Sequence, residues 1–322
     1  MRSASGSIAV LTNKTVLVTG GTGFIGSHLV DALLARGASV VALTRRRPHA
    51  DREDGAGRLR WIEGDVAGPS RGWRPTERPV ETVFHLAALT DLAACRDDRA
   101  AAFAVNAEGV RRMVEVARAL GARRFVYVST LGVYGEPRYL PIDEQHPTAP
   151  IEAYAQSKLA GEAMTLAAGG HGIDVVIARS FNAYGPRQQR TMVVPSIVCQ
   201  LIAGRDIQLE NVEATRDFVY VEDVVQGLLR VASEGRDGEI YNLGSGAETS
   251  IRDVVNEVAA QLGRTMTLTT RPAAVDRVMR SCADIRKARR ELGWAPETSL
   301  DRGLKQTVDY HRAVSAAGCG AA

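Results

Sequence analysis

The stretch VLVTGGTGFIGSHL, Val16 to Leu29, constrains this chain more than any other. An apolar run ends at Gly20, glycines recur at Gly23 and Gly26, and an amphipathic stretch follows. In a strand-turn-helix unit the first glycine permits a tight turn. The second lets backbone approach a pyrophosphate, and the third lets the helix pack closely on the strand. The amides that open the helix then face the phosphates. A glycine pattern alone describes any loop that turns; one placed between TVLV and an amphipathic helix specifies a dinucleotide-binding βαβ unit.

The same rhythm continues downstream. Short apolar runs such as SVVALT, ETVFHLAA and RFVYVST alternate with longer amphipathic stretches. Runs rich in Val, Ile and Phe without strict alternation suit strands covered on both faces. The predicted fold is therefore α/β, a doubly wound parallel (Rossmann) sheet. GPSRGWRPTERP reads as a loop where a helix is expected. After about residue 180 the rhythm breaks, but RDFVYVEDVVQGLLRVA reads as a strand feeding a helix that rejoins the first sheet. This places 12–180 and 216–244 in the dinucleotide domain and 181–215 and 245–314 in a smaller C-terminal substrate-binding domain, with 1–11 and 315–322 as flexible ends.

At 322 residues and 45% hydrophobic content the chain can bury a large core. Its formal charge of +3 is small and scattered, which argues against nucleic acid or a membrane surface as partner. Cys95, Cys199, Cys282 and Cys319 form no CxxC and imply neither a disulfide framework nor a metal site. No segment has the length of a membrane span, and a cytoplasmic location fits best.

Cofactor choice turns on VVALTRRRPH, Val40 to His49. An acid at the end of the second strand binds the ribose hydroxyls of NAD and repels the 2′-phosphate of NADP, whereas arginine attracts that phosphate. Thr44 followed by Arg45 and Arg46 favours NADP, with NAD retained if these arginines form only a solvated loop. Asp65 either accepts from the adenine amino group or caps a turn.

Chemistry is indicated by VYVSTLGVYG followed by AYAQSKLAGE. Tyr154 and Lys158 are spaced i, i+4 and share a helix face. A nearby ammonium lowers a phenol's pKa and lets it act as general base. Thr130, or Ser129 beside it, is placed to bond the same substrate hydroxyl.

Together TGGTGFIG, GDV, HLAA, VYVSTLGVYG, YAQSK, RSFNAYGPRQ, RDFVYVEDV, YNLGSG and ADIRKARRELGW resemble, in family order and over almost the whole chain, the extended short-chain dehydrogenase/reductase superfamily. Specifically, they resemble its NAD(P)-dependent nucleotide-sugar epimerases and dehydratases, typified by the UDP-galactose 4-epimerases. The resemblance implies Tyr154 as catalytic base and Lys158 as the lysine that binds the nicotinamide ribose and tunes the tyrosine. It implies Thr130 as the residue sharing the substrate hydroxyl, with Ser129 as supporting neighbour. It extends the cofactor surface to Phe24, Ile25, Val66, Leu86, Ala87 and Ala88. Asn182 and Arg216 match contacts to a sugar diphosphate, Asn106 matches a structural asparagine, and His85 matches a wall residue near the cofactor. A nucleotide-diphosphate sugar is the implied partner, and a homodimer through 100–120 and 152–168 the implied assembly.

One feature narrows the reaction. Family dehydratases carry an acidic pair after the catalytic threonine, where this chain has Leu131 and Gly132, which disfavours 4,6-dehydration. The resemblance then points to C4 epimerisation of a UDP- or dTDP-hexose through a transient 4-keto sugar. An NADPH-dependent 4-ketoreductase is the alternative, and a non-catalytic dinucleotide sensor a second. The base-binding region departs from the family pattern at LENVEAT. Of Arg271 and Arg277, Arg271 is the phosphate contact this reading selects. Ser281 falls near a position where a small side chain admits a bulkier sugar.

Overall fold

The computed structural model describes residues 11–45, 56–68, 76, 78–170, 172–271 and 278–319. Strand β1 (Thr15–Thr19) is buried throughout and runs into the glycine turn, which hands the chain to α1 (Phe24–Ala35). β2 (Ser39–Thr44), β3 (Leu59–Glu63) and β4 (Val80–His85) follow, then the short helices α2 (Leu92–Asp97) and α3 (Arg99–Phe103). A π-helical turn, Ala104–Glu108, separates α3 from α4 (Gly109–Ala119). The chain continues through β5 (Arg124–Thr130), α5 (Ala153–Ala168), β6 (Asp174–Ser180) and β7 (Asn182–Tyr184). Beyond lie α6 (Val193–Ile202), β8 (Ile207–Glu210), β9 (Thr215–Arg216), β10 (Phe218–Tyr220), α7 (Val221–Glu234) and β11 (Ile240–Leu243). The last elements are β12 (Thr249–Ser250), α8 (Ile251–Leu262), β13 (Leu268–Arg271), α9 (Arg286–Leu292) and α10 (Leu300–Cys319).

Seven strands form one parallel sheet in the order β11-β6-β5-β4-β1-β2-β3. The α/β doubly wound expectation is met. The order reverses between β1 and β4, and ligands of such sheets bind outside the carboxyl ends of the strands at that switch.

Side chains alternate across the sheet. Val16, Val18, Val40 and Ala42 pack with Leu29 and Leu33 of α1 and Leu228 of α7, while Leu17, Val41 and Leu43 pack with Val110, Met113 and Ala117 of α4. This double coverage explains the near-continuous apolar strands. A separate core joins Val194, Ile197 and Val198 of α6, Val254, Val255 and Val258 of α8, and Leu304 and Val308 of α10.

Three local readings need adjustment. β10 pairs with β7 and not with the large sheet; it is α7, through β11, that returns the chain there. The helix expected across 100–120 is continuous but widens into a π turn, Ala104–Glu108, around Asn106. α10 runs to Cys319, past Ser315, where a flexible tail was expected. The loop GPSRGWRPTERP lies mostly outside the described residues.

Candidate active site

The glycine turn is built by backbone that tolerates no side chains. Gly20 has φ +72°, and a Cβ there would stand 2.8 Å from Ala87 N; on Gly26 a Cβ would overlap the carbonyl oxygen of Gly20. Gly23 is the N-cap of α1 and has no side chain to occupy the helix's first amides, so that end remains free to meet an anion. Phe24 and Ile25 form its first turn. Across the switch, Leu86 N donates to Thr19 O at 3.2 Å and Ala87 N to Thr19 Oγ1 at 3.1 Å, which draws 86–88 against β1. The Thr19 hydroxyl also hydrogen-bonds His85 Nδ1, 2.9 Å away. His85 is fully buried, stacked on Phe125 and Tyr127, and pushed down to about 3 by burial and then by the Lys158 charge. It is therefore a neutral, buried side chain beneath the site.

At the adenosine end, Thr44 is buried with Oγ1 3.3 Å from Thr22 Oγ1, and Arg45 beside it is exposed. Arg46 lies outside the described residues. Asp65 Oδ1 accepts from Ala67 N at 2.9 Å, the turn-capping role. Val66 is buried against Gly109.

Tyr154 and Lys158 stand on α5 over the end of β5. Successive strand residues face opposite sides of a sheet, so only one of Ser129 and Thr130 can face the tyrosine. It is Thr130: its hydroxyl accepts from Gly132 N at 3.2 Å and acts to lower the pKa of the Tyr154 phenol. The Ser129 hydroxyl is buried without a partner. Helical spacing led to the expectation of an acidified phenol, yet Tyr154 is pushed up to about 12, chiefly by burial and also by the Cys95 thiol. Lys158 is 2% exposed, donates to Val128 O at 2.6 Å and lies 4.1 Å from the Tyr127 ring centre. Burial brings its pKa down from 10.5 to about 7, against the pull of Glu162.

Asn106, in the π turn, ties these parts together. It exchanges two hydrogen bonds with the Leu89 backbone, 2.8 and 2.9 Å, and donates to Ser157 Oγ at 2.9 Å, while its carbonyl accepts from Tyr127 OH at 3.2 Å. The loop after β4, β5 and the lysine-bearing helix are thereby fixed relative to one another.

On the substrate side, Asn182 donates to Asp217 O at 3.3 Å, and Arg216 Nη1 to Thr215 O at 2.7 Å and Met279 O at 3.2 Å. Ser281 is fully buried with its hydroxyl unpartnered. Arg271 ends β13, in register with Glu210, and Arg277 lies outside the described residues. Two groups went unrecognised in the sequence. Asp217 is fully buried and accepts from Ser245 N, Ser245 Oγ, Gly246 N and Ala283 N at 2.6–2.9 Å. Glu162 of α5 and Arg179 of β6 form a buried two-bond pair. Glu162 had one legible signal, its i+4 spacing from Lys158.

A tyrosine with a hydroxyl partner and a buried lysine, beside a cradle shaped for a pyrophosphate, can move a proton on and off a substrate hydroxyl while a dinucleotide exchanges hydride. A family model for the NAD dependent epimerase/dehydratase family matches residues 16–244. The chain belongs to that family of enzymes. A UDP-glucose 4-epimerase of Mycolicibacterium smegmatis is 34% identical over 306 residues, 92% of this chain and 98% of its own length. The UDP-glucose 4-epimerase of Thermotoga maritima, solved with UDP-glucose, superposes with a TM-score of 0.85 at 30% identity, covering 94% of this chain and 99% of its own. DesIV of Streptomyces venezuelae, a dTDP-glucose 4,6-dehydratase solved with NAD bound, gives 0.84 at 31% identity, over 93% of this chain and 97% of its own. Family model and neighbour alike are named for NAD, which runs against the NADP preference drawn from Thr44 and the arginines. Among the described residues no helix is long and apolar enough to cross a membrane.

Proposed function

We propose that this family member is an NAD-dependent nucleotide-sugar 4-epimerase acting on a UDP- or dTDP-hexose. The observation that carries the reading is the joint placement of Tyr154, Thr130 and Lys158 beside the β1/β4 switch, with no acid following the threonine. Gly132, where a dehydratase acid would sit, packs so closely that a Cβ there would stand 3.2 Å from Ala155 Cβ.

In this reading the amides opening α1 and the backbone of Gly20 to Gly26 hold the pyrophosphate, the only chemistry of the glycine turn being its shape and its N–H groups. Thr44 and Asp65 lie along the adenosine. When bound, the dinucleotide takes up and returns hydride at the sugar carbon. Tyr154 removes the proton of the C4 hydroxyl and later returns it, Thr130 bonds the same oxygen, and Lys158 stabilises the phenolate and holds the nicotinamide ribose. Asn182, Arg216 and Arg271 bind the sugar diphosphate, for which a planar guanidinium is suited by its paired donors. Homodimerisation through 100–120 and 152–168 belongs to the same proposal.

The test is incubation with UDP-glucose, UDP-glucuronic acid and dTDP-glucose, with products separated by chromatography and cofactor absorbance followed at the same time. Interconversion of C4 epimers without net NADH formation, abolished in Tyr154→Phe, supports the proposal. Stoichiometric consumption of NADPH by a 4-keto sugar would replace it with the ketoreductase. Turnover unchanged in Tyr154→Phe would remove the assignment of the base.

A further inference from the structure

The catalytic lysine is buried where its charge is unwelcome. Lys158 has one backbone acceptor, Val128 O, and the face of the Tyr127 ring. An ammonium in such surroundings tends to shed its proton unless an anion is near. That anion is on the same helix. Glu162 follows Lys158 by one turn on the same face and is itself 2% exposed. A carboxylate so deeply buried needs its own partner, and Arg179 of β6, 3% exposed, supplies it through Nε to Oε1 at 2.9 Å and Nη2 to Oε2 at 2.6 Å. The guanidinium lies 4.6 Å from the Tyr134 ring centre. Burial works against the Arg179 charge, but its bonds to Glu162 outweigh that and raise its pKa.

We propose that Glu162, pinned by Arg179, is a positioning residue that keeps the buried Lys158 ammonium protonated for catalysis. The groups facing Lys158 from the surrounding elements are His85 of β4, Tyr127 of β5, and Tyr154 and Glu162 of α5, with Arg179 of β6 behind the carboxylate. His85 is held neutral and Tyr127 is held un-ionised by burial. Glu162 is accordingly the anion that acts on the lysine. Its bidentate clamp fixes the carboxylate so that it supports the ammonium without claiming the lysine as a direct partner, leaving Nζ on the Val128 side.

The inference concerns the site read above as epimerase, and its test does not need turnover. Lys14, Lys158, Lys287 and Lys305 are the lysines of the chain. Lysine labelled with 13C at Cε therefore gives a spectrum sparse enough to titrate Lys158 by NMR in the whole protein. Glu162→Gln should weaken proton binding at Lys158 at least tenfold, leaving the other three lysines where they are. An unmoved Lys158 midpoint in the folded variant overturns the proposal. Should Glu162→Gln not fold, the paired Glu162→Met, Arg179→Met variant replaces a buried ion pair by apolar side chains of similar length, a change often tolerated. A smaller shift in the same direction is expected there, because the Arg179 cation leaves with the carboxylate, and its absence again overturns the proposal. If turnover is found, the limb of its pH profile set by the lysine should move down in Glu162→Gln. Failure of every sugar to turn over counts against the epimerase, while the NMR titration still decides the role of Glu162.

Discussion

The carbonyl oxygen of Gly20 lies where a Cβ on Gly26 would have to be, and the same oxygen accepts from Gly23 N at 2.9 Å. Three glycines thus share one oxygen as the pivot of the turn. Gly26→Ala must push α1 off β1 or open the turn, and both displace the helix amides. Dinucleotide affinity should fall at least about tenfold, a loss of about 1.4 kcal/mol. Isothermal titration with NAD checks this, and an unchanged Kd would detach the turn from cofactor binding.

Lys158→Met should give a protein that is more stable at pH 6 and inactive. The folded-state pKa of Lys158, about 7, lies below the ordinary 10.5, so between those values the unfolded chain binds more protons than the folded one. Stability therefore rises with pH across that window. The burden of the buried charge is fully present below about pH 7, and the methionine variant removes it. Denaturant unfolding at pH 6 and pH 9 should show the gap between variant and wild type shrinking as pH rises. A gap that stays constant would show that the lysine's charge is not what separates them.

Asp217→Asn should destabilise by about 2–4 kcal/mol, because an amide nitrogen then faces N–H donors that a carboxylate oxygen had accepted. The donors belong to Ser245, Gly246 and Ala283, so loosening should extend from the end of β11 to the segment before α9. Hydrogen exchange at those amides is the readout. Protection equal to wild type would contradict this account.

Ser281→Ala should be neutral or stabilising by up to about 1 kcal/mol, since it deletes a buried hydroxyl that has no partner. Ser281→Tyr, in contrast, should overpack a fully buried position and lower Tm. A tolerated tyrosine would point to open space beside Ser281 and favour its place on the sugar.

The elements read most directly from sequence were those whose logic is local. A glycine turn with its flanking strand and helix, and Tyr154 one turn before Lys158, need no partner from elsewhere to be recognised. What escaped was set by packing. Residue types alone leave Thr130 and Ser129 open, because the choice depends on which face of β5 α5 covers; it was the family resemblance that selected Thr130. The Glu162–Arg179 pair forms only because α5 lies against β6, and Asp217 earns its role from two later segments folded back around it. The π turn at Asn106 is invisible in a run of alanine-rich helix formers. Thr44 and Arg45 favour NADP where the family model and a solved neighbour are named for NAD, because a single residue type at a strand end reports charge but not where the ribose lies.

The core formed by α6, α8 and α10 has implications for how the chain is made. Val194 and Ile197 emerge from the ribosome more than a hundred residues before Leu304 and Val308, the side chains that close over them. Until then the face that α6 and α8 turn towards α10 is uncovered, while the strands before them already have most of their neighbours. The nascent protein thus passes through a stage with its sheet largely assembled and its second core open. Chaperone capture during synthesis should fall on α6 and α8, and a premature stop before residue 300 should release a sticky fragment instead of a smaller stable enzyme.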